Sequence, residues 1–296
     1  MNICVYYETW TSTRLGDLAK DYPGLTIVNL AFAQPDLKYV KGQLTWTGTG
    51  LNFTDTFPEI QSEIKALQAN GIKVMLSVGG GTYQNWGAMD IVQVHALITD
   101  LGVDGVDIDW EPMTGTPVTS VLTGLIKTFR PIVGKLSFAG WSTGAYGANV
   151  NDQFSGINIP AITTVGSSVD WINIMAYDAG PPAAFNPLSA FDAYRIYYKG
   201  PLMLGFEVGP PGWGGYLLTQ TDVVNGISHV NKSGSPNGIF VWGVGSDTTG
   251  TPTVGSIIST ANAAFSQTVT PPPIVTPTTS SFVCPNCAKV LVVSLK

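Results

Sequence analysis

Short runs rich in β-branched and aromatic residues, bounded by Gly, Pro or Asn, recur along most of the chain and alternate with stretches of helical periodicity. Eight such runs predict strands over residues 2–8, 26–33, 73–78, 105–111, 135–140, 171–177, 202–207 and 239–243. Several are almost continuously apolar, as in Ile27-Val28-Asn29-Leu30-Ala31-Phe32, the pattern of parallel strands covered on both faces. Val118, Val121, Leu122, Leu125, Ile126 and Phe129 predict one helix, with Thr116 as its cap and Pro117 at its first position, where a missing N–H is harmless. Ile60, Ile64 and Leu67 predict another, opened by Pro58 and closed at Gly71; Val254, Ile257, Ile258, Ala261 and Phe265 predict a last one over the eighth strand. The connections after the first and fifth strands carry no clear helical pattern. Eight strands with interleaved helices predict an α/β fold, a (β/α)8 TIM barrel without a large α+β insertion. An open doubly wound sheet is the alternative; no G-x-G-x-x-G follows the first strand, which weakens it.

The texture changes late in the chain. Residues 1–267 carry the barrel pattern and define the expected catalytic domain. Residues 268–281, TVTPPPIVTPTTSS, have no core face and read as a stiff Pro/Thr-rich linker. Residues 282–296 form a short tail containing Cys284-Pro285-Asn286-Cys287. That C-x-x-C is half of a zinc-ribbon pattern, and zinc takes four ligands. Cys284 and Cys287 are therefore zinc candidates only if another chain shares the site; a redox pair and a bland tail are the other readings. Cys4, alone in a predicted strand, reads as a small buried hydrophobe.

Composition narrows the function. Apolar residues make up 44% of the 296-residue chain and charged residues 11%, enough for a large core and too few charges for disorder. The net charge of −6, with 14 Lys+Arg, leaves no dense basic face, so nucleic acid and anionic membranes are unsuitable partners and a neutral substrate fits best. No run of 18 apolar residues exists, so no membrane span is expected. Residues 1–7 lack a basic region and read as a strand rather than a signal peptide. The 2 histidines, His95 and His229, fall in predicted helices and offer little material for a His-based nucleophile triad or zinc site.

Chemistry concentrates in the fourth predicted strand, Asp104-Gly105-Val106-Asp107-Ile108-Asp109-Trp110-Glu111. Side chains alternate faces along a strand, so Asp107, Asp109 and Glu111 point one way and Val106, Ile108 and Trp110 the other. With the apolar face on the helices, the three carboxylates project into the barrel mouth, where active sites of such barrels lie. Crowded, poorly solvated carboxylates raise one another's pKa, which is how a carboxylic acid stays protonated near neutral pH to act as a general acid. Glu111, at the strand tip, is the candidate acid. A solvated acidic strand end or a magnesium or calcium site is the other reading, although one strand seldom supplies enough metal ligands.

The segment DGVDIDWE resembles the DxxDxDxE signature of the family-18 glycoside hydrolases, the chitinases and their relatives. Leu76-Ser77-Val78-Gly79-Gly80 resembles the family's SxGG motif, Asn29-Leu30-Ala31-Phe32-Ala33 its second-strand motif, Met175-Ala176-Tyr177-Asp178 its MxYD motif, and Val241-Trp242-Gly243 the end of its eighth strand. The resemblance implies a retaining mechanism assisted by the substrate, an exception to the two-carboxylate scheme, with no cofactor and chitin or chito-oligosaccharides as partner. It gives Glu111 the role of acid and then base, and Asp109 that of holding the acetamido N–H. Asp107 would pair with Asp109 and share a proton, and Tyr177 would donate to the acetamido oxygen. It makes Trp242 the floor under the sugar and puts Asp178 against the sugar or the acid, although strand alternation would face Asp178 the other way. Asp104, the first acid of the motif, reads as structural.

Pyranose faces stack on aromatic rings. Trp10, Trp141 and Trp213 follow the first, fifth and seventh predicted strands and are further substrate-binding candidates, as is Glu207 at the end of the seventh, for which a salt bridge to Arg195 is the other reading. Only residues 208–238 separate the seventh and eighth strands, which favours an open groove and internal cleavage. An endo-acting chitinase is thus the expected function, ahead of an endo-β-N-acetylglucosaminidase and a non-catalytic lectin. A monomer is expected, and extracellular action is suggested by the substrate alone.

Overall fold

A computed structural model describes residues 1–113, 117–147, 153–180, 184–209, 216, 218–234, 236–246, 252–266, 280–283 and 290–293. Eight parallel strands form a closed barrel: β1 (Asn2–Glu8), β2 (Ile27–Ala33), β3 (Lys73–Gly79), β4 (Gly105–Asp109), β5 (Lys135–Trp141), β6 (Trp171–Met175), β7 (Leu202–Glu207) and β8 (Gly238–Trp242). Each pairs with the next in sequence, and β8 closes on β1, with Cys4 opposite Phe240. The helices are α1 (Leu18–Asp21), α2 (Phe57–Ala69), α3 (Ile91–Leu101), α4 (Ser120–Phe129), α5 (Ile159–Val165), α6 (Pro187–Tyr197), α7 (Gln220–Lys232) and α8 (Val254–Ser266). The patternless connections after β1 and β5 hold the short helices α1 and α5.

Local sequence explains the helix ends. Thr56 and Glu59 form a capping box at the start of α2, whose Phe57, Ile60, Ile64 and Leu67 are buried, and Gly71 beyond its end has φ +79°. The expected start of α4 is corrected. It begins at Ser120, so Pro117 lies outside it, and Val118 is 59% exposed instead of packed; Thr116 lies outside the described residues. The buried face is Leu122, Leu125, Ile126 and Phe129. The apolar stripe thus continues in sequence to Val118, ahead of the first helical residue, and Val118 itself faces solvent.

Two apolar clusters result. The larger fills the space between sheet and helices and includes Val106, Ile108 and Trp110. The smaller, with Cys4, Ile27, Met75, Trp171, Met203 and Phe240, plugs the barrel interior. Interleaved with this plug are buried polar inward positions: Asn29, Ser77, Asp107, Ser137 and Asn173. Asp104 lies at the opposite strand end, where its carboxylate accepts from the Val74 N–H (2.8 Å) and the Gln68 amide (3.1 Å). Packing separates Met1–Phe265 from Ser266–Lys296; within the latter, β9 (Ser280–Val283) and β10 (Val290–Val293) pair antiparallel. Among the described residues, no helix is long and apolar enough to cross a membrane.

Candidate active site

Asp107 sits at the centre of the polar layer. Its Oδ2 accepts from Tyr6 Oη (2.8 Å) and Ser77 Oγ (2.8 Å), and its Oδ1 from Ser137 Oγ (2.6 Å) and Asn173 Nδ2 (3.1 Å). Asn173 Nδ2 also reaches Tyr6 Oη at 3.0 Å, so β1, β3, β4, β5 and β6 all meet at this carboxylate. Burial pushes the Asp107 pKa up, and the four donors pull it back. The charge of Asp107 also acts on Asp109. Asp109 is raised well above the usual carboxylate range by burial, then by Glu111, then by Asp107, and its Oδ1 has no hydrogen-bond partner among the described residues.

The close approach of β3 and β4 requires glycine. Gly79 pairs with Asp109 at φ +112°, and a Cβ there would overlap the Asp109 carbonyl oxygen. The strand ladder ends at Asp109, two residues before the position expected, so Glu111 rises from the loop beyond β4. Its carboxyl is pushed up to about 7, chiefly by removal from water and further by Asp178, while the Gly81 N–H hydrogen bond pulls it down. Burial, then Asp109, Glu111, Glu207 and Asp178, push Tyr177 up and keep its hydroxyl a donor.

Asp178 does face this site. β6 ends at Met175 and Asp178 has φ +52°, so strand alternation no longer sets its direction. With Asp109, Glu111 and Tyr177 it lines a cavity of about 990 Å³ at the C-terminal mouth of the barrel. Aromatic rings make much of the wall. Phe32 stacks on Trp242 (centroids 5.5 Å apart, 23° between planes), Trp10 tilts against Trp242 at 6.4 Å and is 53% exposed, and Trp141 lies parallel to Phe154 at 4.0 Å.

Glu207 stands beside the cavity lining, near enough to Tyr177 to push the tyrosine pKa up. Glu207 is buried opposite Trp242 in the β7–β8 register and does not line the cavity; Arg195 donates to the Tyr198 and Gly200 carbonyls and to Asn237, not to Glu207. Trp213, Cys284 and Cys287 are outside the described residues. Among the described residues, no group of three or more His, Cys, Asp or Glu is arranged to hold a metal ion. Sequence reasoning did not single out Tyr6, Ser137, Asn173, Phe32 or Gly81. A polar residue inside an otherwise apolar strand, as Asn173 is, was the available signal.

With this geometry in place, comparison with known proteins defines the class. The model of glycosyl hydrolases family 18 matches residues 2–202, and the chain belongs to that family. Among curated relatives, Exochitinase 1 of Streptomyces olivaceoviridis is 25% identical over 205 residues, covering 57% of this chain and 33% of that protein. The chain thus spans about a third of that relative's length. Among solved structures, a family-18 chitinase from Pseudoalteromonas aurantia superposes with a TM-score of 0.69 at 22% identity, covering 89% of this chain and 100% of that one. A class V chitinase from Nicotiana tobaccum, solved with NAG4, gives a TM-score of 0.63 at 17% identity, covering 90% and 99%. At these identities the superpositions speak to the barrel fold.

Proposed function

We propose that the protein is an endo-acting chitinase that hydrolyses β-1,4 bonds between N-acetylglucosamine units with retention, assisted by the substrate. The observation that carries this reading is the meeting of the Glu111 and Asp109 carboxylates and the Tyr177 hydroxyl at one aromatic-walled cavity. A carboxyl with a pKa of about 7 holds its proton at working pH and can deliver it to the glycosidic oxygen. Asp109 and Glu111 are two residues apart in sequence, at the same side of the mouth. That suits a scheme in which the sugar's own 2-acetamido oxygen attacks the anomeric carbon, in place of a second carboxylate across the scissile bond.

In this scheme Tyr177 donates to the acetamido oxygen and orients it. The unpartnered Asp109 Oδ1 accepts the acetamido N–H and stabilises the positive charge of the oxazolinium-type intermediate. Departure of the leaving sugar takes the Glu111 proton. The Glu111 carboxylate then accepts a proton from the incoming water, which opens the intermediate and restores the acid. Trp242 and Trp10 offer ring area to pyranose faces, and burial, with a smaller push from Asp178, keeps the Glu111 pKa high. Internal cleavage is supported by the connection between β7 and β8, whose described element is the single helix α7.

The test is a digest of colloidal chitin and chitotetraose beside a high-mannose glycoprotein, with products read by mass and initial anomeric form by NMR. A ladder of chito-oligosaccharides released first as the β-anomer, with the glycoprotein untouched, is expected. Glycan release without a ladder would make the protein an endo-β-N-acetylglucosaminidase, and binding without turnover would make it a lectin; either result overturns the proposal.

A further inference from the structure

We propose that Gln84 is a positioning residue for Glu111, clamping the loop after β3 to the loop after β4. The inference rests on Glu111 being the acid. Ladder pairing between β3 and β4 stops at Gly79 and Asp109, with one more bond from the Gly80 N–H to the Asp109 carbonyl at 2.9 Å. Glu111 lies beyond that point, so sheet pairing does not fix its backbone. Gln84 spans the gap. Its Nε2 donates to the Gly81 carbonyl (3.0 Å) and the Gly80 carbonyl (3.3 Å), and its Oε1 accepts from the Met113 N–H (3.3 Å), which also donates to the Glu111 carbonyl (2.8 Å). One neutral amide thus ties together the peptide whose N–H reaches the Glu111 carboxylate and the turn that carries Glu111 itself. Gly81 is close to the acid: a Cβ on it would stand 3.6 Å from Glu111 Oε1.

Among the described residues, the groups facing Glu111 are Asp109 from β4, Asp178 and Tyr177 from beyond β6, and the Gly81 N–H from beyond β3. The Gly81 N–H favours the ionised form of Glu111, while burial first and then Asp178 disfavour it. Releasing the clamp lets the N–H retreat while burial and Asp178 remain, so the Glu111 pKa rises. A general acid works while protonated, so the basic limb of the pH profile moves to higher pH.

The experiment uses Gln84→Met, which fills similar volume without hydrogen bonds, and Gln84→Asn, whose amide is too short to span both loops. Chitotetraose hydrolysis is followed across pH, with thermal melting as the folding control and Glu111→Gln in parallel. Both Gln84 variants are expected to melt cooperatively, to lose about 10- to 100-fold in kcat with KM within about threefold, and to shift the basic limb of kcat/KM upward by about half a unit. A purely structural role would lower melting without moving that limb. If Glu111→Gln is inactive while the variants keep the wild-type limb and kcat, the positioning role is wrong and the acid assignment stands. If Glu111→Gln retains turnover, the acid assignment fails and this inference falls with it.

Discussion

Gly79 and Asp109 lie side by side in the β3–β4 register, and no side chain fits between them, because a Cβ on Gly79 would overlap the Asp109 carbonyl oxygen and crowd the Trp86 ring. The second strand of the site is therefore pressed against the acidic one at the level where the carboxylates emerge. Gly79→Ala would meet both this overlap and an unfavourable φ of +112°. It is expected to destabilise the barrel by about 3 kcal/mol or more and to abolish activity. Urea unfolding checks this; a variant within about 1 kcal/mol of wild type would show that the strands have room to separate.

Asp107 is the acceptor on which four donors from four strands converge. Asp107→Ala leaves the Tyr6, Ser77 and Ser137 hydroxyls buried without this acceptor and Asn173 with only Tyr6 to donate to, and a loss of about 3–5 kcal/mol is expected. Ser137→Ala removes a single bond to the same carboxylate and should cost about 1–2 kcal/mol. The ratio of the two in chemical denaturation reports whether Asp107 organises the layer; equal losses would show that it does not.

The polar layer also shows how far the sequence could be read. The alternation of Asp107 and Asp109 against Val106 and Ile108 was legible because β4 is a regular strand with one charged face. The other strands were legible as short apolar runs bounded by Gly, Pro or Asn. Beyond the strand ends alternation failed for Asp178, which turns into the cavity through a left-handed backbone, whereas Glu111, past the end of β4, lines the cavity as alternation predicts. Tyr6 and Ser137 escaped notice because their partner is on another strand, and nothing local marks a tyrosine or serine as the donor to a distant carboxylate. The start of α4 was misplaced because apolar periodicity at Val118 continues past the segment that the barrel covers.

Tyr177 lines the cavity with Asp109 and Glu111, and its hydroxyl is held protonated by burial and by the surrounding acids. Tyr177→Phe keeps the ring, including its edge contact with Phe240 at 5.9 Å, and removes the donor. A drop in kcat of about 10²- to 10³-fold with little change in KM is expected from steady-state kinetics on chitotetraose. Retention of most of the activity would remove the hydroxyl from the mechanism.

The carboxyl proposed as the acid is expected to weaken the fold once it ionises. Glu111 has its pKa raised from 4.5 to about 7, so the folded state holds this proton more tightly than the unfolded chain. Its contribution to stability is present at low pH and is lost as pH rises from 4.5 to about 7. Glu111→Gln carries no titrating group there. Its melting temperature should match wild type near pH 4 and exceed it above pH 7, by an amount equivalent to about 1–2 kcal/mol after allowance for partial solvation. A difference that does not change with pH would contradict the raised pKa.

The most direct test of the acid's role is turnover by Glu111→Gln on chitotetraose, with binding of the same oligosaccharide measured by calorimetry. The expected result is a fall in kcat of about 10³-fold or more with the dissociation constant nearly unchanged. Turnover within tenfold of wild type, in a variant that binds equally well, would show that the proton comes from elsewhere.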